Sequence, residues 1–195
     1  MTRSTLRVFI GALLLVLVAL DAPADDGRRG EGHHHAQQSG RARLYDARGD
    51  VVGDVVYISG SDYAAGVVLN VKGVFVFAGF SSNETSPTGG RAVSNEWIWQ
   101  YPRLAYSGKN CSGTPYVFYE QGAFRPSAIE RRGTTATLYI ARDTTSEAVP
   151  VGSYESGDAP PRCFDGTPRR YDGAWPVEST IDLTQLYPEP LRIGR

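Results

Sequence analysis

Branched and aromatic side chains gather along this chain in short runs, and turn residues separate the runs. Ala42 to Tyr45, a turn at Asp46-Ala47-Arg48-Gly49-Asp50, and Val51 to Ile58 read as a hairpin. Val67 to Val71 and Val74 to Phe80 are joined by Lys72-Gly73. In Val74 to Phe80 both alternating faces are apolar, which predicts a central strand covered on both sides. Ser81 to Asn95 is the longest loop candidate. Glu96 to Tyr101, Leu104 to Tyr106, Thr114 to Tyr119, Thr134 to Ala141 and Glu147 to Tyr154 continue the series of strands. Gly157 to Gly173 reads as turn-dense, Trp175 to Leu183 as a last strand, and Pro188 and Pro190 as the end of regular structure.

No window beyond residue 20 carries an extended 3.6-residue apolar stripe. The pattern therefore predicts an all-β fold, a single-domain antiparallel β-sandwich or barrel.

Residues 1–24 read differently. Arg3 and Arg7 precede an apolar run from Val8 to Leu20, and Ala22-Pro23-Ala24 follows. A basic start, a short apolar centre and small residues at a cut make a signal peptide. The run falls short of the ~20 residues that span a bilayer. The mature chain is thus expected to lack a transmembrane segment and to be secreted or periplasmic. Residues 25–40, with His33 to His35 among Gly, Arg and Gln, contain no branched or aromatic apolar side chain and predict a disordered leader. The folded domain is expected at residues 41–195. Losing residues 1–24 moves the formal charge from −1 to −2, so no nucleic-acid partner is expected.

The turn around which the chain is arranged is Asn110-Cys111-Ser112-Gly113-Thr114-Pro115, entering the aromatic strand Tyr116 to Tyr119. It holds one of two cysteines. In an oxidising compartment Cys111 and Cys163 predict a structural disulfide. Closing a loop of about 53 residues is worth roughly 4 kcal/mol in the chain-entropy account. All three histidines lie in the leader, so the domain has no Ser-His-Asp or Cys-His machinery and no His-ligated zinc. No catalytic residue, metal ligand or cofactor is assigned. Paired carboxylates remain, as glycoside chemistry requires, with Asp143, Glu147, Glu155 and Asp158 as candidates. Arg48-Gly49-Asp50 matches an integrin-recognition tripeptide, in a turn that backbone geometry already explains. Asn83-Glu84-Thr85 and Asn110-Cys111-Ser112 fit the N-glycosylation pattern.

Trp97, Trp99 and Tyr101 share one face of a strand by alternation. Such a row either fills a core or stacks sugars, and a domain of this size has most need of its large rings inside.

Three segments together resemble a group of secreted bacterial β-domain proteins: Leu44-Tyr45-Asp46-Ala47 with Gly49 and Val52-Gly53; Asn110 to Tyr116; and Ile181-Asp182-Leu183 with Pro188 and Leu191-Arg192-Ile193. The resemblance implies export and a β fold, and it supplies no site residues.

The expected function is a non-enzymatic exported domain that binds a ligand or cell-surface partner, a glycan among them. The competing expectation is an extracellular hydrolase using two carboxylates. Intact mass of the exported protein is expected to match a chain beginning at Asp25, and retention of residues 1–24 would contradict the signal assignment.

Overall fold

A computed structural model describes residues 41–58, 64–82, 95–118, 123–155 and 162–195, without the side chains of residues 167–169. The signal, the leader with His33–His35, and the candidates Asn83 and Asp158 lie outside the described residues.

The fold is all-β and antiparallel. Its strands are β1 (Arg43–Tyr45), β2 (Val51–Ile58), β3 (Ala64–Val71), β4 (Val74–Ser82), β5 (Trp97–Trp99) and β6 (Leu104–Tyr106). They continue as β7 (Pro115–Phe118), β8 (Ser127–Arg132), β9 (Thr135–Ala141), β10 (Glu147–Glu155), β11 (Cys163–Asp182) and β12 (Arg192–Gly194). The short helix α1 (Leu183–Leu186) is capped by the Asp182 carboxylate, which accepts from the Gln185 N–H.

The first sheet runs β12-β1-β2-β3-β4-β5. Leu191 and Trp97 exchange backbone hydrogen bonds of 2.9 and 2.8 Å, and residues 192–194 then pair with β1. The last segment therefore joins both edges of the sheet into a barrel. Leu44, Val67, Val76, Ala78, Trp99 and Leu191 are fully buried in its core. The β3–β4 hairpin turns at Lys72 and Gly73, both at positive φ, the pairing that suits a two-residue loop.

The second sheet runs β10-β6-β7-β11-β9-β8, and β10 also pairs with β11. Strand β11 borders β10 over its first half and β7 and β9 over its second. A disulfide joins Cys111 to Cys163.

Three strands depart from the sequence reading. β8 is mostly polar, and its Ser127 and Glu130 are buried because tertiary partners receive them; the Ser127 hydroxyl donates to the Phe77 carbonyl at 2.7 Å. β11 begins at Cys163 rather than near Trp175, running through Gly166 and Gly173 where the register against β10 shifts. β12 forms beyond Pro188 and Pro190, where sequence alone predicts nothing regular.

Trp97, Trp99 and Tyr101 do not form one face. The Gln100 N–H bonds to the Gly79 carbonyl, and the alternation ends there. Trp97 and Trp99 point into the barrel, the first edge-on to Phe80 at 5.5 Å. Tyr101 turns to the other side of β4, edge-on to Phe77 at 5.1 Å. All three are packing residues. Trp99→Ala is expected to cost about 3–5 kcal/mol in urea denaturation, and an unchanged midpoint would contradict its place in the core.

Candidate functional site

The second sheet carries different chemistry on its two faces. On one, Leu104, Tyr106, Val117, Ala128 and Ala141 form a small core, and that core ends in ionisable groups. Glu130 of β8 is 4% exposed and fully engaged. Its Oε1 accepts from the Tyr106 hydroxyl at 2.7 Å and from Arg132 at 2.5 and 2.8 Å, and its Oε2 accepts from the Tyr139 hydroxyl at 2.6 Å. Burial alone would raise its pKa. The donors Arg132, Tyr139 and Tyr106 outweigh that and hold the carboxyl below its ordinary value.

Glu155, the last residue of β10, reaches the same phenol. Its Oε1 lies 3.4 Å from the Tyr106 oxygen. Its Oε2 is buried without a hydrogen-bond partner among the described residues. Burial, and then the Glu130 charge, push its pKa up to about 7. One phenolic proton cannot serve two carboxylates, and the shorter contact belongs to Glu130. The longer contact is satisfied when Glu155 carries its own proton. Burial likewise raises the phenols of Tyr106 and Tyr139.

The disulfide turn is docked behind this cluster. The Ser153 hydroxyl donates to the Gly108 carbonyl at 2.6 Å and accepts the Cys111 N–H at 2.9 Å. The Asp165 carboxylate accepts the Asn110 N–H at 2.6 Å. Asn110 and Cys111 sit at positive φ, and the turn holds them there.

On the opposite face, one rung crosses four strands: Tyr116, Ala105, Tyr154 and Phe164 are successive partners. Cross-strand partners project to the same side. Tyr154 and Phe164 stack at 5.8 Å and are 44% and 41% exposed. Tyr116, Phe118 and Tyr171 are half-buried beside Ala105, Val149, Val151 and Ala174. A grouped, open set of aromatic rings thus lies on β7, β10 and β11 rather than at Trp97 and Trp99. Sequence alternation hid it because Tyr154 and Phe164 come from separate strands and meet only through pairing.

Of the sequence-named carboxylates among the described residues, only Glu155 enters a cluster. Asp143, itself exposed, pairs with the largely buried Arg125 at 2.7 Å, and Glu147 is exposed at the start of β10. Glu130 escaped notice because β8 did. In the Arg48–Asp50 turn, buried Asp46 binds the Arg48 guanidinium at 2.7 and 3.0 Å and accepts both the Arg48 and Asp50 N–H groups. That arginine also donates to the Leu186 carbonyl. The tripeptide is fastened to its own domain. The described residues hold no group of three or more His, Cys, Asp or Glu side chains that would take a metal ion.

Chemically, the cluster is a carboxylate held in its charged form beside one whose pKa is pushed up to about 7. Two-carboxylate hydrolysis needs the charged partner to attack a substrate or activate water. Both oxygens of Glu130 are occupied by donors, so it acts as a fixed charge. No family model, curated protein or solved structure matches this chain.

Glu155 gives a stability prediction. With its folded-state pKa raised from 4.5 to about 7, its contribution is complete below pH 4.5 and is lost as pH rises through about 7. The lowered carboxyls Glu130, Asp46 and Asp182 contribute in the opposite sense, losing stability at acid pH. Residues 41–195 contain no histidine to titrate in that window. Urea unfolding is expected to show stability falling by about 1–2 kcal/mol across it, discounted for partial solvent screening. Glu155→Gln should flatten the fall, and an equal fall in that variant would contradict the assignment.

Proposed function

We propose that this chain is an exported, non-enzymatic binding domain whose ligand is a sugar stacked on the aromatic rung of the second sheet. The observation that carries the reading is the Tyr154–Phe164 pair, two large rings left substantially exposed on a strand rung that also holds Tyr116. Single exposed apolar residues are ordinary, whereas a grouped, pre-positioned set marks a contact surface. Phe118 and Tyr171 meet edge-on at 4.4 Å beside the rung on the same face. Rings held by strand backbone require little ordering when they bind, and a flat ring face suits the C–H face of a pyranose.

Export rests on the signal-like residues 1–24 and agrees with the oxidised Cys111–Cys163 pair. No helix among the described residues is long and apolar enough to cross a membrane. The hydrolase reading is weaker because Glu130 is 4% exposed and both of its oxygens already accept from Tyr106, Arg132 and Tyr139.

A glycan and peptidoglycan panel scored for binding and turnover tests the proposal. Binding without turnover is expected. Tyr154→Ala and Phe164→Ala should each weaken it at least about tenfold, roughly 1.4 kcal/mol, with little change in Tm. Trp99→Ala should lower Tm instead. Binding unaffected by both exposed-ring variants would overturn the assignment.

A further inference from the structure

The carboxylate cluster and the aromatic rung lie on opposite faces of the same strand ends. Glu155 pairs with Cys163 across β10 and β11, and the adjoining rung is Tyr154 with Phe164. Alternation sends Glu155 to the face opposite Tyr154. Neighbouring residues on one strand pair thus hold the proton site and the exposed rings.

We propose that Glu155 is a proton-operated latch on this rung: protonated, it fastens the end of β10 to the cluster, and ionised, it releases it. The proposal rests on the binding reading of Tyr154 and Phe164 and adds its regulation. The groups facing Glu155 set the sign. Tyr106 of β6 offers a phenol whose proton already goes to Glu130. From β8 come the Glu130 charge and the Arg132 guanidinium, which is bound to Glu130 at 2.5 Å. From β9, Tyr139 donates to Glu130 as well. From β11, Cys163 is tied up in the disulfide. Three side chains thus serve Glu130, and among the described residues Glu155 is left with only the 3.4 Å contact to the shared phenol. Ionised Glu155 would place like charge beside Glu130 across one shared phenol, with Oε2 buried and unpaired. Both effects favour its movement into water, carrying the strand end with it.

The disulfide limits that movement. Cys163 stays bonded to Cys111, and Asn110 and Cys111 are held from Asp165 and Ser153. Release is therefore local: the rung loosens while the rest of the sheet persists. The face is ordered in mildly acidic surroundings and relaxed in alkaline ones.

Hydrogen–deuterium exchange on the mature protein, without ligand, tests the latch at about pH 5 and about pH 7.5, with rates corrected for intrinsic exchange. Amides of residues 147–155 and 162–166 are expected to lose at least about tenfold protection at the higher pH. Those of β4 should not change. Glu155→Gln, neutral at both values, should retain protection throughout. Carbon-13 titration of the wild-type Glu155 carboxyl adds a readout that does not depend on the variant folding. Its midpoint should coincide with the change at the Tyr154 amide. Protection independent of pH in the wild type, an equal loss in Glu155→Gln, or a Glu155 midpoint at the ordinary 4.5 overturns the latch. Because no sugar is present, failure of the binding reading leaves this result standing, and failure of the latch leaves the binding reading standing.

Discussion

The Glu189 carboxylate accepts from the Trp99 backbone N–H at 2.7 Å and from both ends of the Arg131 guanidinium at 2.7 Å. Those partners belong to different sheets: Trp99 to the first, Arg131 to the second. The acid and the guanidinium are 13% and 15% exposed at their side chains. Removing one partner of such a pair leaves a buried charge unanswered, at a cost of about 3–5 kcal/mol. The same segment supplies the Tyr187 carbonyl to the Trp99 indole N–H at 3.0 Å and the Pro188 carbonyl to the Ala47 N–H at 2.9 Å. One acid thus brings Leu191 to the open edge of β5, and barrel closure, core burial of Trp99 and the seating of β8 follow together.

The two sheets manage their polar groups differently. In the first, both strand edges are consumed by closure, which leaves little backbone exposed for pairing with another chain. In the second, the smaller core ends in Glu130, Arg132 and two tyrosines, a network fully satisfied except at Glu155. Low dielectric makes a satisfied network firm and a missing partner costly. The contrast between Glu130 and Glu155 therefore comes from the supply of donors rather than from any difference in side-chain chemistry.

Much of the fold was legible in the alternating runs. The β1–β2 and β3–β4 hairpins follow from local turn residues, and the Cys111–Cys163 pairing follows from the chain holding two cysteines and no others. What escaped the sequence is tertiary in origin. β8 looks too polar to be a strand until Phe77, Tyr106 and Tyr139 supply partners for Ser127 and Glu130. Trp97, Trp99 and Tyr101 keep one face only while the strand continues, and the bond from Gln100 to Gly79 ends it. Tyr154 and Phe164 are ten positions apart in a stretch broken by Gly and Pro, and only the β10–β11 register makes them neighbours. Glu155 could be nominated by residue type, but its partner lay in a strand that periodicity does not reveal.

Closure of the first barrel has a consequence in time. Leu44 of β1 is paired with Ile193 of β12, so contact between nearly opposite ends of the domain is required before the sheet has no edge. During synthesis, the hairpins β1–β2 and β3–β4 can assemble from local contacts, but β1 and β5 stay open until residues 191–194 arrive. The nascent domain must therefore remain incomplete until its final strand is delivered.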